Sequence, residues 1–343
     1  MEIANLQKID GMKMYEFYDK WPKLAELSYK KEFTVTKFPE VDHIIFAGMG
    51  GSGSIGDIIS SILSKKNIHV SVIKGYHLPK TVDEKTVIAI TSISGNTEET
   101  ISILNESINS DAKIIAFSSG GKIQKICDSN SKIDFYKIEK NHSPRVSLLN
   151  FLYSILKIMK DILPIDEEEI YDSLEKLKQV GNEISSSNLN GKNPSIELAE
   201  KITGIPVIYY PAGLEAAAIR FKNSLQENAK MHVIIEDVIE ACHNGIVSWN
   251  KHDDVNPIFI QGTDDHEKTK ERWRILQDFF DKEGIEYIRI KSVDGGILSK
   301  LVCLSYQLDY ASLYKAILND VDPSPVFPID FIKERLTEIN RRD

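Results

Sequence analysis

Five apolar runs of strand length occur in the first half of the chain: 42–48 (DHIIFAG), 68–75 (IHVSVIKG), 86–92 (TVIAITS), 112–119 (AKIIAFSS) and 132–138 (KIDFYKI). Segments of helical pattern separate most of them. A run that is apolar on both faces belongs to a strand buried on both sides, and such strands joined by helical crossovers form a parallel sheet covered by helices. The spacing therefore predicts an α/β fold with a doubly wound parallel sheet. After a helical stretch at 146–186, the polar run SSSNLNGKNPS reads as a linker, and the pattern restarts. IPVIYYPAG corresponds to DHIIFAG, PIFIQGTDD to VIAITSISG, EYIRIKSV to KIIAFSS, and LSKLVCLSYQLDYASLYKAI to SPRVSLLNFLYSILKIM. This is duplication by pattern rather than by identity.

With 343 residues there is length for two ordinary domains. The boundaries read as a helical N-terminal segment at 1–40, a first domain at 41–186, a second at 187–320, and a C-terminal segment at 321–343. A net charge of −9 argues against nucleic acid as the main partner, so any anion site must be local. Cys127, Cys242 and Cys303 lie far apart without CxxC spacing, which fits a reducing cytoplasm and predicts neither a disulfide framework nor a thiolate metal site. The most apolar segment, Phe151 to Leu163, is interrupted by Lys157 and Lys160 and is too short to span a bilayer, so it reads as a buried helix and no membrane partner is expected.

GMGGSG, Gly48 to Gly53, follows an expected strand and opens an expected helix, so it satisfies G-x-G-x-x-G. A dinucleotide site also needs an acidic residue at the end of the next strand, and Lys74 stands there. The turn lacks the Gly-Lys-Ser/Thr of a nucleotide-binding P-loop as well. What remains is an anion cradle: glycines let backbone N–H groups approach, and Ser52 adds a hydroxyl at a helix N-terminus. A second cluster, Ser92, Ser94, Gly95, Asn96 and Thr97, follows the third strand. Gly50, Gly51 and Ser52 from one loop and Ser92, Ser94 and Thr97 from the other are expected to converge on one phosphate in the crevice of the sheet. The bland alternative for the hydroxyls is local turn bonding and helix capping. In the second copy the matching turn reads GTDDHEKT, where Asp264 and Asp265 would repel an anion, so only one copy is expected to bind phosphate.

GMGGSG, SISGNTEET and SPRVSLLNFLYSIL together resemble the sugar-isomerase (SIS) domain. With NSLQENAKMH (223–232), EACHNGIVSW (240–249) and DVDPSPVFPIDFIK (320–333), the chain resembles the bifunctional phosphoglucose/phosphomannose isomerases of archaea and some bacteria. The resemblance implies two tandem doubly wound, flavodoxin-like SIS domains plus a C-terminal helix. It also implies a cofactor-independent interconversion of glucose 6-phosphate, and of mannose 6-phosphate, with fructose 6-phosphate, by ring opening and a cis-enediol. Glu227 matches the base that moves a proton between C1 and C2, although alone it reads as a solvated charge. His243 matches the ring-opening histidine, supplied across a homodimer interface, against the ordinary reading of a structural histidine. Arg145 matches the arginine facing the developing enediolate, against an ordinary ion pair near a helix start. Lys333 matches a ring-opening lysine, with Lys315 as the alternative. Ser324 stands where the family commonly has Thr. No metal ligand cluster is expected, and the final residues, with Arg341 and Arg342, read as a frayed end. The rivals are a silent phosphosugar binder and another SIS aldose-ketose phosphate isomerase.

Overall fold

The computed structural model describes residues 1–250 and 254–339, so Arg341 and Arg342 lie outside the described residues. Three helices come first: α1 (Ile3–Ile9), α2 (Met14–Asp19) and α3 (Trp21–Lys30). Strand and helix then alternate: β1 (His43–Ala47), α4 (Gly51–Leu63), β2 (His69–Ile73), β3 (Thr86–Ser92), α5 (Glu98–Ser107), β4 (Lys113–Ser118), α6 (Gly121–Asp128) and β5 (Ile133–Lys137). The five strands are parallel in the order β2-β1-β3-β4-β5, the flavodoxin-like order expected of a doubly wound sheet. The apolar stretch after them is helix α7 (Leu148–Ile158), buried along nearly its whole length.

A second series follows: α8 (Glu167–Ile184), α9 (Pro194–Lys201), β6 (Ile205–Tyr210), α10 (Glu215–Ser224), β7 (Ile234–Asp237), α11 (Val238–Ala241), β8 (Val255–Gln261), α12 (Glu267–Glu283), β9 (Ile288–Lys291), α13 (Ile297–Leu318) and α14 (Phe327–Ile339). Its parallel sheet has the order β7-β6-β8-β9, which repeats the first sheet strand for strand up to the fourth. The expected duplication is therefore a duplication of topology. One member, β7, carries no apolar run of its own in the sequence reading; it is four residues long, half-exposed, and at the sheet edge.

Alternation along each strand sorts the side chains into layers. Ile44 and Phe46 of β1 face a central core shared with Ile208 and Tyr210 of β6 and with Ile258 and Ile260 of β8. Ile45 and Ala47 face the opposite side, against Ile103, Leu104 and Ile123 of α5 and α6. Val207, Tyr209 and Phe259 pack outward against Trp273, Leu276 and Phe280 of α12. Helix α13 is buried almost all round because it runs between the two halves. The N-terminal helices belong to this same core: Tyr18, Trp21 and Tyr29 are buried, and the Trp21 indole N–H donates to the Val146 carbonyl at 2.7 Å.

Candidate active site

Strand β1 lies between β2 and β3, so its carboxyl end is the point where the winding of the sheet reverses. Both hydroxyl-bearing turns meet there. Gly50 has φ +53 and precedes α4, whose N-terminus has no side-chain cap. A β-carbon on Gly51 would stand 3.0 Å from the Pro144 carbonyl oxygen, so the glycine turn and the 143–147 turn touch backbone to backbone. Ser52 is buried, and its Oγ accepts from the Ile93 amide at 3.1 Å, joining the first turn to the second.

In the second turn, Ser92 Oγ accepts from the Gly95 amide at 3.1 Å and donates to Thr97 Oγ1 at 3.1 Å. Ser94 Oγ accepts from the Asn96 amide at 3.3 Å. Gly95 has φ +69, and a β-carbon there would lie 1.8 Å from the Gly120 carbonyl oxygen, so glycine is required. Local turn bonding is thus real for Ser92 and Ser94. Capping is not: Thr97 stands at the N-cap of α5 but makes no side-chain cap bond. Two helix N-termini, those of α4 and α5, open beside one another at the ends of adjacent strands.

The second copy differs at the matching place. The Asp265 carboxylate accepts from the Gly262 amide at 3.0 Å and from the Trp273 indole at 2.9 Å, while Asp264 pairs with the Lys300 ammonium. This turn supplies its own anion. Lys74 forms an ion pair with Asp57 at 2.6 Å, and a β-carbon on Gly53 would lie 3.1 Å from its Cε. A lysine thus occupies the ground where a dinucleotide site would hold a carboxylate.

The 143–147 turn carries Arg145, which is buried. Its NH1 donates to Glu227 Oε2 at 2.7 Å, and its NH2 donates to the carbonyls of Pro323 and Ser324 at 3.0 and 2.8 Å. Glu227 lies on a turn of π-helix, Leu225–Ala229, that continues α10. Such bulges cluster at functional sites because they re-aim a side chain inside a helix. The turn ends at Lys230, a non-glycine residue with φ +58. Lys230 Nζ donates to the carbonyls of Glu227, Pro323 and Pro325 at 2.5, 3.3 and 2.8 Å.

Beneath this pair lies a buried network. Arg220 of α10 bonds Asp309 of α13 through Nε at 3.1 and 3.2 Å and through NH2 at 2.5 Å, and the same NH2 donates to the Arg145 carbonyl at 2.5 Å. Ser224 Oγ donates to Asp309 at 2.5 Å, and Asn228 donates to Ser312 at 2.8 Å. Arg145 Nε, Ser324 Oγ and both ring nitrogens of His142 are buried without a hydrogen-bond partner among the described residues. His142 is held below the ordinary histidine range by burial first and by the charge of Arg145 next. Among the described residues, no group of three or more His, Cys, Asp or Glu side chains is placed to share a metal ion.

The geometry therefore brings together Gly50, Gly51, Ser52, Ser92, Ser94, Thr97, Arg145 and Glu227. It does not bring in His243, which is exposed just after α11 and makes no hydrogen bond or ion pair with Arg145 or Glu227. Lys333 lies on the exposed face of α14 and Lys315 near the end of α13, where burial lowers its ammonium below the lysine range. The reading of Glu227 as a solvated charge fails, since Arg145 binds it; the reading of Arg145 as an ion-pair former is met by the same contact.

Residues 37–159 match the SIS domain, and residues 191–336 match the family described as bacterial phospho-glucose isomerase C-terminal SIS domain. A bifunctional phosphoglucose/phosphomannose isomerase of Aquifex aeolicus (strain VF5) is 31% identical across 85% of this chain and 90% of its own. That of Caldicellulosiruptor bescii is 30% identical across 95% of this chain and 99% of its own. The chain belongs to this family. The fold is shared beyond the bifunctional phosphoglucose/phosphomannose isomerases. The C-terminal domain of glucosamine-fructose-6-phosphate aminotransferase from Francisella tularensis superposes with a TM-score of 0.67 over 90% of this chain and 96% of that one at 16% identity, a likeness of fold alone. For this family member, Lys230, Arg220, Asp309 and His142 are the residues that motif reading passes over. Arg220 and Asp309 are charges that only burial distinguishes from surface ones, Lys230 is exposed and is marked only by its bonds to carbonyls, and His142 had no signal beyond its place two residues before Pro144.

Proposed function

We propose that the protein interconverts glucose 6-phosphate and mannose 6-phosphate with fructose 6-phosphate, through ring opening and a cis-enediol. The observation that carries this reading is the Glu227 carboxylate held 2.7 Å from the Arg145 guanidinium, in the crevice where the glycine and serine turns meet. The phosphate is assigned to the Gly50 and Gly51 amides and to the hydroxyls of Ser52, Ser92, Ser94 and Thr97. That places C1 and C2 toward Glu227, which takes the proton from one carbon and returns it to the other. Negative charge then grows on the enediolate oxygens, and Arg145 faces it with a guanidinium already fixed by two carbonyls, so little reorganisation is needed. Arg145 Nε and Ser324 Oγ, without a partner among the described residues, suit a ligand rich in hydroxyls.

Ring opening is assigned to His243 of a second copy and to Lys333. The homodimer is supported by the exposure of His243 beside Val247, and by α14, which leaves Phe327, Phe331 and Ile332 uncovered. The division into domains at 41–186 and 187–320 follows the two sheets. A cytoplasmic setting is supported by three unpaired cysteines, two of them buried. No helix among the described residues is long and apolar enough to cross a membrane.

The test is conversion of fructose 6-phosphate to each aldose, in EDTA, by wild type and Glu227→Gln. The expected result is activity toward both products that persists in EDTA and falls about 10²- to 10⁴-fold in the variant, the usual weight of a positioned base. A well-folded wild type with no isomerisation would refute the reading and leave a phosphosugar binder.

A further inference from the structure

The last segment of the chain is fastened to the body at one short turn. Pro323 and Ser324 are buried, whereas α14 is exposed from Phe327 through Arg335. The turn is Pro-Ser-Pro, with two residues that lack a backbone N–H, and Asp322 bonds the Ser324 amide at 2.9 Å. What it offers to the protein is therefore a row of carbonyl oxygens. Two cations receive them. Arg145 takes Pro323 and Ser324, Lys230 takes Pro323 and Pro325, and the Pro323 carbonyl serves both. The third proton of Lys230 goes to the carbonyl of Glu227 itself.

An ammonium has three donors, and here all three point to carbonyls, with no ion pair formed by Lys230 among the described residues. Its backbone is left-handed, a conformation in which glycine would be relaxed and lysine is strained. A residue that only ended the π-turn would be better as glycine, so the side chain is what the position uses.

We propose that Lys230 is a positioning residue for the isomerisation: its ammonium clasps the 323–325 turn to the Glu227 turn, and so holds Arg145 on Glu227 and α14 at the crevice. The inference rests on the isomerase reading given above. Without the clasp, the Pro325 carbonyl and one acceptor site on Pro323 are released. The turn that fixes the Arg145 fork then loosens, and the guanidinium loses its aim at the charge that develops on the substrate. Phosphate binding, which is assigned to other residues, those of the turns at 50–52 and 92–97, is left in place.

The experiment uses the full chain with Lys230→Gly, Lys230→Met and Lys230→Arg. It measures kcat and KM for fructose 6-phosphate, the thermal midpoint, and hydrogen exchange at the amides of Ser324, Val326 and Ile329. For Gly and Met the expected result is a kcat lower by roughly 100-fold with KM changed by less than about threefold, the pattern of a misplaced catalytic group. Exchange at the three amides should speed at least about tenfold, while the Gly variant keeps or raises the thermal midpoint because its left-handed backbone is relaxed. Lys230→Arg, which keeps a cation, should restore part of the kcat, and propylammonium should do the same for the Gly variant. Wild-type kcat in the Gly variant overturns the proposal, as does unchanged exchange at the turn or a kcat loss that tracks a lowered midpoint. A wild type without turnover would instead refute the isomerase reading, with the exchange measurement still deciding whether Lys230 fastens the turn.

Discussion

The Arg220–Asp309 pair gives a prediction in which stability and activity should separate. Both side chains are inaccessible, at 2% and 0% exposed, and they belong to different helices, α10 and α13. Asp309 accepts three bonds from Arg220 and one from Ser224. Asp309→Ala removes the carboxylate and leaves a guanidinium buried without a counter-charge, a change that costs about 3–5 kcal/mol in comparable cases. Against a total stability on the order of 5–15 kcal/mol, that is a large fraction. Arg220→Met with Asp309→Leu removes both charges together and fills the space, and such exchanges run from neutral to stabilising. The double variant should therefore unfold in urea near the wild-type midpoint, while the single variant unfolds far below it. Activity should not follow stability. The double variant still lacks the NH2 that holds the Arg145 carbonyl at 2.5 Å, so the guanidinium facing Glu227 is less firmly aimed and its kcat should fall by roughly tenfold or more. Urea unfolding followed by circular dichroism gives the first quantity and a coupled isomerase assay the second. A single variant destabilised by less than about 1 kcal/mol would show that water reaches Arg220, and the reasoning from burial would be wrong.

Gly95→Ala should abolish the serine turn, because its β-carbon would meet the Gly120 carbonyl at 1.8 Å; KM for fructose 6-phosphate should rise at least about tenfold, and an unchanged KM would separate that turn from phosphate binding. Asp10, buried beneath α2, has its carboxyl raised above the usual range by burial, opposed by the amides of Met14 and Tyr15. A group raised in this way binds its proton more tightly in the folded state, so its contribution is most favourable below the ordinary aspartate value near pH 4 and is lost as pH rises through the folded value. Asp10→Asn should accordingly raise the thermal midpoint at pH 7 and confer little by about pH 4; a gain of equal size at both would contradict the assignment.

The strands that the sequence reveals most clearly are those buried on both faces. β1, β3 and β4 each read as an unbroken apolar run because helices cover both sides, and β8 and β9 follow by analogy. β7 escapes notice since IIED is half-exposed at an edge and passes at once into α11. The site divides in the same way. The glycine and serine turns are local chemistry and can be read from consecutive residues. The Arg145–Glu227 contact spans 82 positions, and nothing in either neighbourhood announces the other without the family resemblance. Arg220 and Asp309 read as ordinary surface charges, because a sequence states that a residue is charged but not that a helix will bury it; Lys230 does lie at the surface, and what the sequence omits is the distant turn of carbonyls it binds. The N-terminal 40 residues read as a helical segment outside the repeat, yet Tyr18 and Trp21 complete the core directly beneath the Arg145 turn.

The crevice draws on widely separated stretches of chain: Trp21 supports the backbone beside Arg145, Glu227 comes from the second repeat, and the carbonyls of 323–325 arrive near the end. During synthesis the first sheet can complete its hydrogen bonds long before these carbonyls exist. Until the 323–325 turn is made, Arg145 lacks two of its acceptors, so on the assignment proposed above a nascent or prematurely stopped chain would hold a formed phosphate cradle beside an unset Arg145–Glu227 pair. Such a chain would bind a sugar phosphate before it could turn one over, and the ligand would act first as a folding aid and only later as a substrate.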